Sequence, residues 1–249
     1  PTSRNRKFKT AFSSMDQVVS DIIQNRKSNE NRHDLLQRIL DNSSDETEKI
    51  IRDEVRTLML AGHETTSLSI VFSLWLLAEH PNIQDTIREQ VLQITGKERI
   101  QPKHRRKLSA VENIIKEAIR IYPPAPIFVR EPLEDDILGE YHLPAKSIVI
   151  VPPFQIHHDE RWYKEPAVFD PTRWNSEMTK NLPKMAYIPF GGGSRICIGR
   201  HMAMMECILI LAEIIRCYRI EKTSSSQLNL VPSITLRPKG GVYLQFTRL

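Results

Sequence analysis

Cysteine is scarce in this sequence: three residues, at positions 197, 207 and 217, with no C-x-x-C pair. A structural zinc site needs about four ligands, commonly in close pairs, and a disulfide-stapled fold needs a fuller set of cysteines. Neither organises this chain, and a reducing intracellular compartment is the expectation. Long hydrophobic runs are missing too. The longest, Leu68 to Ala78, is interrupted by Ser69 and Ser73 and is shorter than the roughly 20 apolar residues that span a bilayer. No lysine follows the run Gly191-Gly192-Gly193, as a phosphate-cradling loop requires. Aromatic residues make up 7%, and the basic clusters, Arg4 to Lys9 and Lys103 to Lys107, hold a single one, Phe8, which is no aromatic interleaving. With no nucleic-acid-binding motif either, DNA and RNA are not expected partners. In a chain of net charge +5 those clusters read as solvated surface, with an anionic membrane or an acidic partner as the alternative. There is no internal repeat and no visible secretory leader. The sequence opens on Pro1 rather than methionine, so it reads as part of a longer chain whose membrane attachment is open.

What is present suits a globular protein: 40% hydrophobic and 26% charged residues over 249 positions, enough for a sizeable core. The most informative stretch is Phe190-Gly191-Gly192-Gly193-Ser194-Arg195-Ile196-Cys197-Ile198-Gly199. Only the thiolate form of cysteine ligates metal, and the free N–H groups and dipole at a helix N-terminus favour it. Cys197 stands at the head of an apolar helical run, Ile198 to Ile220. Three glycines let the backbone turn tightly and approach a flat ligand, while Arg195 offers a forked cation to carboxylates. Gly199 removes a side chain where such a ligand would lie. One sulfur for one axial bond, an arginine for carboxylates and the bulky Phe190 describe a haem seat better than any other metal site. The bland alternative is a small core hydrophobe, the usual fate of a lone cysteine.

The rest of the chain is mostly helical in pattern. Helices are expected over Ala11 to Ile23, with Val18, Val19, Ile22 and Ile23 on one face, and over Asp34 to Leu40, separated by a loop from Gln24 to Arg32. Ser43 and Glu46 form a capping box that opens a helix of about 35 residues, or about 50 Å, ending at Pro81. Midway lies Ala61-Gly62-His63-Glu64-Thr65-Thr66. The small pair weakens the helix, making room beside the backbone, and a threonine can bond back to the preceding turn. A close helix crossing is the alternative. An H-E-x-x-H zinc helix fails because position 67 is Ser67. Further helices cover Ile83 to Ile94 and Leu108 to Ile119. On the latter, Glu117 and Arg120 can pair one turn apart, which in isolation reads as a surface salt bridge. Two strands, Ile137 to Tyr141 and Ser147 to Val151, read as a hairpin around Leu143 to Lys146. His157-His158-Asp159 reads as a solvent-facing loop rather than a metal pair, Pro166 to Pro189 as irregular, and Ser233 to Arg237 with Val242 to Phe246 as a terminal hairpin. The expected fold class is mainly α with small β hairpins.

Phe190, Gly193, Arg195, Cys197 and Gly199 match F-x-x-G-x-R-x-C-x-G, and the segment resembles the haem-binding signature of the cytochrome P-450 family. Ala61 to Thr66 is similar to that family's A-G-x-E-T-T oxygen-activation segment. Glu117 and Arg120 resemble its E-x-x-R, joined there by a later arginine that Arg173 matches. The three signatures occur in family order across essentially the whole chain. The resemblance implies residues 1–249 as a single partial domain, the C-terminal half of the fold, carrying the long oxygen-activation helix and the haem-ligand loop. It implies haem b with Cys197 as iron ligand and Arg195, Phe190, Gly193, Gly199, Arg130 and Ala61 around the cofactor. Thr65 and Glu64 become the catalytic hydroxyl and acid of a proton relay. Glu117, Arg120 and Arg173 take a structural role, and Ala125, Ile127 and Phe128 become substrate contacts. The activity implied is a monooxygenase that takes dioxygen and two electrons from a ferredoxin, flavodoxin or flavoprotein reductase and inserts one oxygen atom into a small, apolar organic substrate. Arg195, Arg200 and His201 would place positive charge where an acidic redox partner docks. A peroxide-rearranging relative, which tends to lack the acid and threonine pair, and a catalytically inactive haem protein remain as alternatives.

Overall fold

Helical periodicity sets most of the chain, and the helices come first in the architecture. The computed structural model describes residues 2–28, 32–42, 48–96 and 98–249. The chain divides into two compact units, residues 1–64 and 65–249. Eight α-helices are described: α1 (Ser3–Ser28), α2 (Leu35–Asn42), α3 (Glu48–Glu79), α4 (Pro81–Thr95), α5 (Ser109–Ile121), the short α6 (Pro153–Ile156) and α7 (Ser176–Asn181), and α8 (Arg200–Cys217). Helix α3 contributes to both units. The Ser43 and Glu46 capping box lies outside the described residues.

In the first unit, Val19, Ile23 and Ile51 are buried, with Leu36, Ile39, Leu40 and Val55 packed around them. The expected apolar face of α1 is narrower than predicted, because Val18 and Ile22 are exposed. Helix α1 also runs on through Ser28, into the stretch read as a loop from Gln24. Asp16 pairs with Arg56 of α3 and tethers the two helices at their polar edge.

The second unit is built around α5. Its buried face, Val111, Ile114, Ile115, Ala118 and Ile119, meets Ile208, Leu211, Ala212 and Ile215 of α8 and Leu74 to Leu77 of α3 in one continuous core. Burying a side chain of this size is worth about 1.5–3 kcal/mol, so these positions supply the unit's driving force. Pro81 at the first turn of α4 lacks an N–H that would be unpaired there anyway. It ends α3 and starts α4 with little cost.

Among the described residues, the strands form four two-stranded antiparallel ladders. Strand β1 (Phe128–Arg130) pairs with β4 (Val149–Val151) in the register Phe128 to Val151. Strand β2 (Asp136–Leu138) pairs with β3 (Tyr141–Leu143). This corrects the hairpin expected between 137–141 and 147–151. The tight turn is at Gly139, whose φ of +64° suits the first position of a two-residue hairpin loop, and the second run returns to β1 instead. Likewise β5 (Tyr218–Lys222) pairs with β8 (Leu244–Arg248), and β6 (Leu230–Val231) with β7 (Arg237–Pro238). The C-terminal strand therefore closes on the end of α8, not on residues 233–237.

Gln84 clasps β5 to α4. It is buried; its side-chain amide donates to the carbonyls of Leu77 at 3.1 Å and Ile220 at 2.9 Å, while its oxygen accepts from the Ile220 N–H at 2.8 Å. Gln84→Ala strands the buried N–H and carbonyl of Ile220 and leaves the Leu77 carbonyl with only the His80 N–H at 3.2 Å, and the expected loss in urea unfolding is about 2–4 kcal/mol. A change below about 0.5 kcal/mol would show that water replaces the amide.

Candidate functional site

The glycine-rich stretch before α8 forms a folded-back loop rather than an extension of the helix. Gly191 and Gly193 have φ of +73° and +69°, a region that side-chain-bearing residues rarely adopt. The Gly191 N–H donates to the Ile188 carbonyl at 3.1 Å, and the Cys197 N–H returns to the Phe190 carbonyl at 2.9 Å. That bond closes the loop and fixes the backbone from which the sulfur projects. Helix α8 begins at Arg200 with Gly199 as N-cap, so Cys197 precedes the helix instead of heading it. A Cβ on Gly199 would lie 3.9 Å from the Cys197 sulfur, filling the space beside it.

Of the three cysteines only Cys197 is exposed. Cys207 is buried, and desolvation pushes its thiol up to about 12, which excludes it as a thiolate at neutral pH. Its sulfur lies 3.9 Å from the Thr66 carbonyl, tying α8 to α3 close to Thr65. Cys217 sits 3.9 Å from Glu213 Oε1 at the far end of α8. Among the described residues no group of His, Cys, Asp or Glu is arranged to hold a metal ion. The donor set at the loop is thus a single sulfur, which suits an ion whose other positions are filled by a macrocycle.

Arg195 is exposed on the loop. A Cβ on Gly191 would meet Phe128 Cζ at 4.0 Å, so the start of β1 abuts the loop and carries Arg130 with it. Arg130 is exposed, its guanidinium folded onto the Val129 carbonyl at 2.9 Å and over the Phe128 ring. Pro126, Ile127, Ile150, Phe154 and Leu236 line a cleft of about 600 Å³ beside this segment. Ala125 is half-buried and Ile127 exposed.

Ala61 and Glu64 lie in the first unit and Thr65 opens the second. Ala61 is exposed, Glu64 and Thr65 half-buried, and the Thr65 carbonyl accepts from Ser69 Oγ at 2.9 Å. Ser73 Oγ repeats the pattern onto Ser69 at 2.7 Å. Such back-bonding by hydroxyls loosens a helix, and Ser69 and Ser73 add it on the turns that follow Thr65.

The Glu117 and Arg120 pair is no surface salt bridge. Both side chains are fully buried. Glu117 Oε1 accepts from Arg120 Nη2 at 2.8 Å, Arg173 Nε at 3.2 Å and the Asp170 N–H at 3.1 Å. Oε2 accepts from Arg120 Nε and the Trp174 indole N–H, both at 2.9 Å. Trp174 was not singled out in the sequence, although its place directly after Arg173 was the available signal. His157 was read wrongly. It is fully buried, with its carbonyl accepting from Arg120 Nη1 at 2.8 Å and its Nε2 accepting from the Ile188 N–H at 3.0 Å. Adjacent histidines suggested a loop tip; the bulk of Tyr187 and Arg120 around the first of them was invisible locally.

The sequence model of the family described as cytochrome P-450 matches residues 1–246. This chain belongs to the cytochrome P-450 family. It is similar to cyclooctatin synthase of Streptomyces melanosporofaciens, 32% identical over 243 residues, 95% of this chain and 53% of that protein. It is similar also to cytokinin hydroxylase of Arabidopsis thaliana, 31% identical over 257 residues, 98% of this chain and 50% of that protein. A bifunctional cytochrome P-450/NADPH–P-450 reductase of Alternaria alternata is 33% identical over 242 residues, 94% of this chain and 22% of that protein. The chain spans about half the length of the first two of these relatives. Membership accords with the mainly helical fold and its small antiparallel sheets, and the cofactor it implies is haem on a cysteine thiolate. Among the described residues no helix is long and apolar enough to cross a membrane.

Proposed function

We propose that this chain is the C-terminal half of a haem-thiolate monooxygenase, residues 1–249 forming one partial domain. The carrying observation is the exposed sulfur of Cys197 on a loop closed by its own N–H. The loop fits the group: one sulfur donor, two left-handed glycines that bring backbone close, and a side-chain-free Gly199 beside the sulfur. When bound, the haem supplies the oxygen-activating redox chemistry, tuned by electron donation from its thiolate.

The chain's own residues bind and orient. Cys197 would supply the sulfur that holds the iron, and Phe190, Gly193 and Gly199 would shape the ground beside it. Arg195 and Arg130 hold the cofactor's carboxylates by charge-assisted hydrogen bonds, Arg130 swinging off the Val129 carbonyl to do so. On the family resemblance, Ala61 would belong to the cofactor-binding residues. Thr65 Oγ and the Glu64 carboxylate hold and pass the protons that oxygen reduction consumes. The apolar cleft beside Ile127 receives a small apolar substrate and excludes water from it. Electrons come from a separate ferredoxin, flavodoxin or flavoprotein reductase; the reductase fused to the Alternaria relative supports a flavoprotein donor. Placement in a reducing compartment follows the exposed Cys197 thiol and the two cysteines left unpaired.

The test is the carbon monoxide difference spectrum of the reduced protein after haem reconstitution. A strongly red-shifted Soret band is the expected result. Haem bound with an unshifted band overturns thiolate ligation, and reductase-independent turnover of peroxides would replace the monooxygenase reading with a peroxide-rearranging one.

A further inference from the structure

We propose that His157 is the positioning residue of the Cys197 loop, a buried acceptor that fixes the loop's entry only while its imidazole is neutral. The backbone of His157 is fixed to the core, because its carbonyl accepts from Arg120 Nη1 at 2.8 Å and Arg120 is locked on Glu117. Its ring reaches the other way and accepts the Ile188 N–H at Nε2, 3.0 Å away. The Ile188 carbonyl then accepts from the Gly191 N–H at 3.1 Å, and the Phe190 carbonyl from the Cys197 N–H at 2.9 Å. A short run of backbone bonds therefore connects the imidazole to the residue that carries the sulfur.

A backbone N–H can only donate, so Nε2 carries no proton and the ring's proton resides on Nδ1. That Nδ1 is buried and has no hydrogen bond of good geometry, though it lies toward the Ile119 and Arg120 carbonyls. An apolar ring would fill the same space against Tyr187, 5.2 Å between centroids, without an unpaired donor. What only the imidazole brings is the acceptor at Nε2.

That acceptor is lost on protonation, which sets N–H against N–H at Ile188 and adds a charge with no solvent to stabilise it. The groups facing the ring oppose the charge. Arg120 of α5 is cationic, and the Glu117 carboxylate behind it is already matched by Arg120, Arg173 and Trp174. Tyr187 is a phenol held well above its ordinary value by burial, and His158 is itself pushed down by desolvation. Desolvation first and Arg120 second lower His157 from 6.5 to about 3. Because the closed state has the depressed value, closure is complete above about pH 6.5. It weakens as pH falls toward about 3, by about tenfold per pH unit within that window.

The role in chemistry rests on Cys197 being the haem ligand; the hydrogen-bond chain does not. The test is amide hydrogen exchange of the protein over about pH 4 to 8, corrected for the intrinsic pH dependence of exchange. Opening at the Ile188, Gly191 and Cys197 amides should rise by about tenfold per unit of acidification below about pH 6.5, while Ile115 and Ala118 of α5 stay protected. His157→Gln, which offers an acceptor that does not titrate, should flatten the profile. The wild-type profile decides alone if that variant does not fold. A flat wild-type profile, a slope retained in His157→Gln, or parallel loss of protection in α5 overturns the proposal. Since exchange needs no haem, a flat profile rejects the His157 role even where thiolate ligation stands. An unshifted carbon monoxide band rejects the haem reading even where the slope is found.

Discussion

Glu117→Ala is expected to remove cooperative folding from the 65–249 unit. The carboxylate is fully buried and accepts five hydrogen bonds, from Arg120, Arg173, Trp174 and the Asp170 backbone. Deleting it leaves the Arg120 and Arg173 guanidiniums without their counterion, Arg120 with no exposed surface at all. Breaking a buried pair from one side costs about 3–5 kcal/mol, a large share of the roughly 5–15 kcal/mol by which domains are stable. Here one acceptor group serves two cations, so the loss should sit at or above the top of that range. Glu117→Gln keeps the shape but turns an N–H₂ toward donors, so it should lose nearly as much. The contrast is Glu98→Ala, which breaks an exposed pair with Lys103 at 3.1 Å and should change stability by less than about 1 kcal/mol. Urea unfolding followed by tryptophan fluorescence reads the comparison, with Trp174 reporting directly on the cluster. A loss below about 1 kcal/mol in Glu117→Ala would mean that the cluster relaxes to water.

What could be read from the sequence divides along a physical line. Helix faces repeat within a few residues, so α4 and α5 fall close to where periodicity puts them. Strand pairing is non-local. The apolar 147–151 run reads the same whether it turns back on β2 or crosses to β1, and its pairing with Phe128 to Arg130 involves a partner about 20 residues away. Tyr218 to Lys222 follows α8 with no glycine or proline between them and is too short for period alone to separate strand from helix. The burial of His157 depends on Ile188 and Arg120 arriving from distant segments, which no window around His157-His158 contains. Cys197 and its glycines were legible because their chemistry is local: the loop's fold, its sulfur and its arginine lie in one stretch. The roles proposed for Thr65 and Glu64 rest on resemblance to the family, and what α3 adds is the serine back-bonding at Ser69 and Ser73.

Cys197→Ser and Cys207→Ser should have opposite effects, and the pair separates ligand from core. Cys197 is exposed, and what fixes its backbone is the N–H bond to the Phe190 carbonyl, which serine retains. Its replacement should change unfolding stability by no more than about 0.5 kcal/mol. On the proposed haem ligation, a serine hydroxyl, which does not ionise in this pH range, would donate far less charge to iron, so the red-shifted carbon monoxide band should vanish. Cys207 has the reverse profile. It is buried in the core between α8 and the carbonyl of Thr66, and its thiol, pushed up to about 12, does not form the thiolate. Serine there places a more polar group among Ile208, Leu211 and Ala212, at a cost of about 1–2 kcal/mol, while the spectrum stays red-shifted. If Cys207→Ser rather than Cys197→Ser abolishes the band, the sulfur seat has been assigned to the wrong side of α8. If Cys197→Ser instead unfolds the unit, the loop is a folding element first, and its ligand role must then be judged on the spectrum of the wild-type protein.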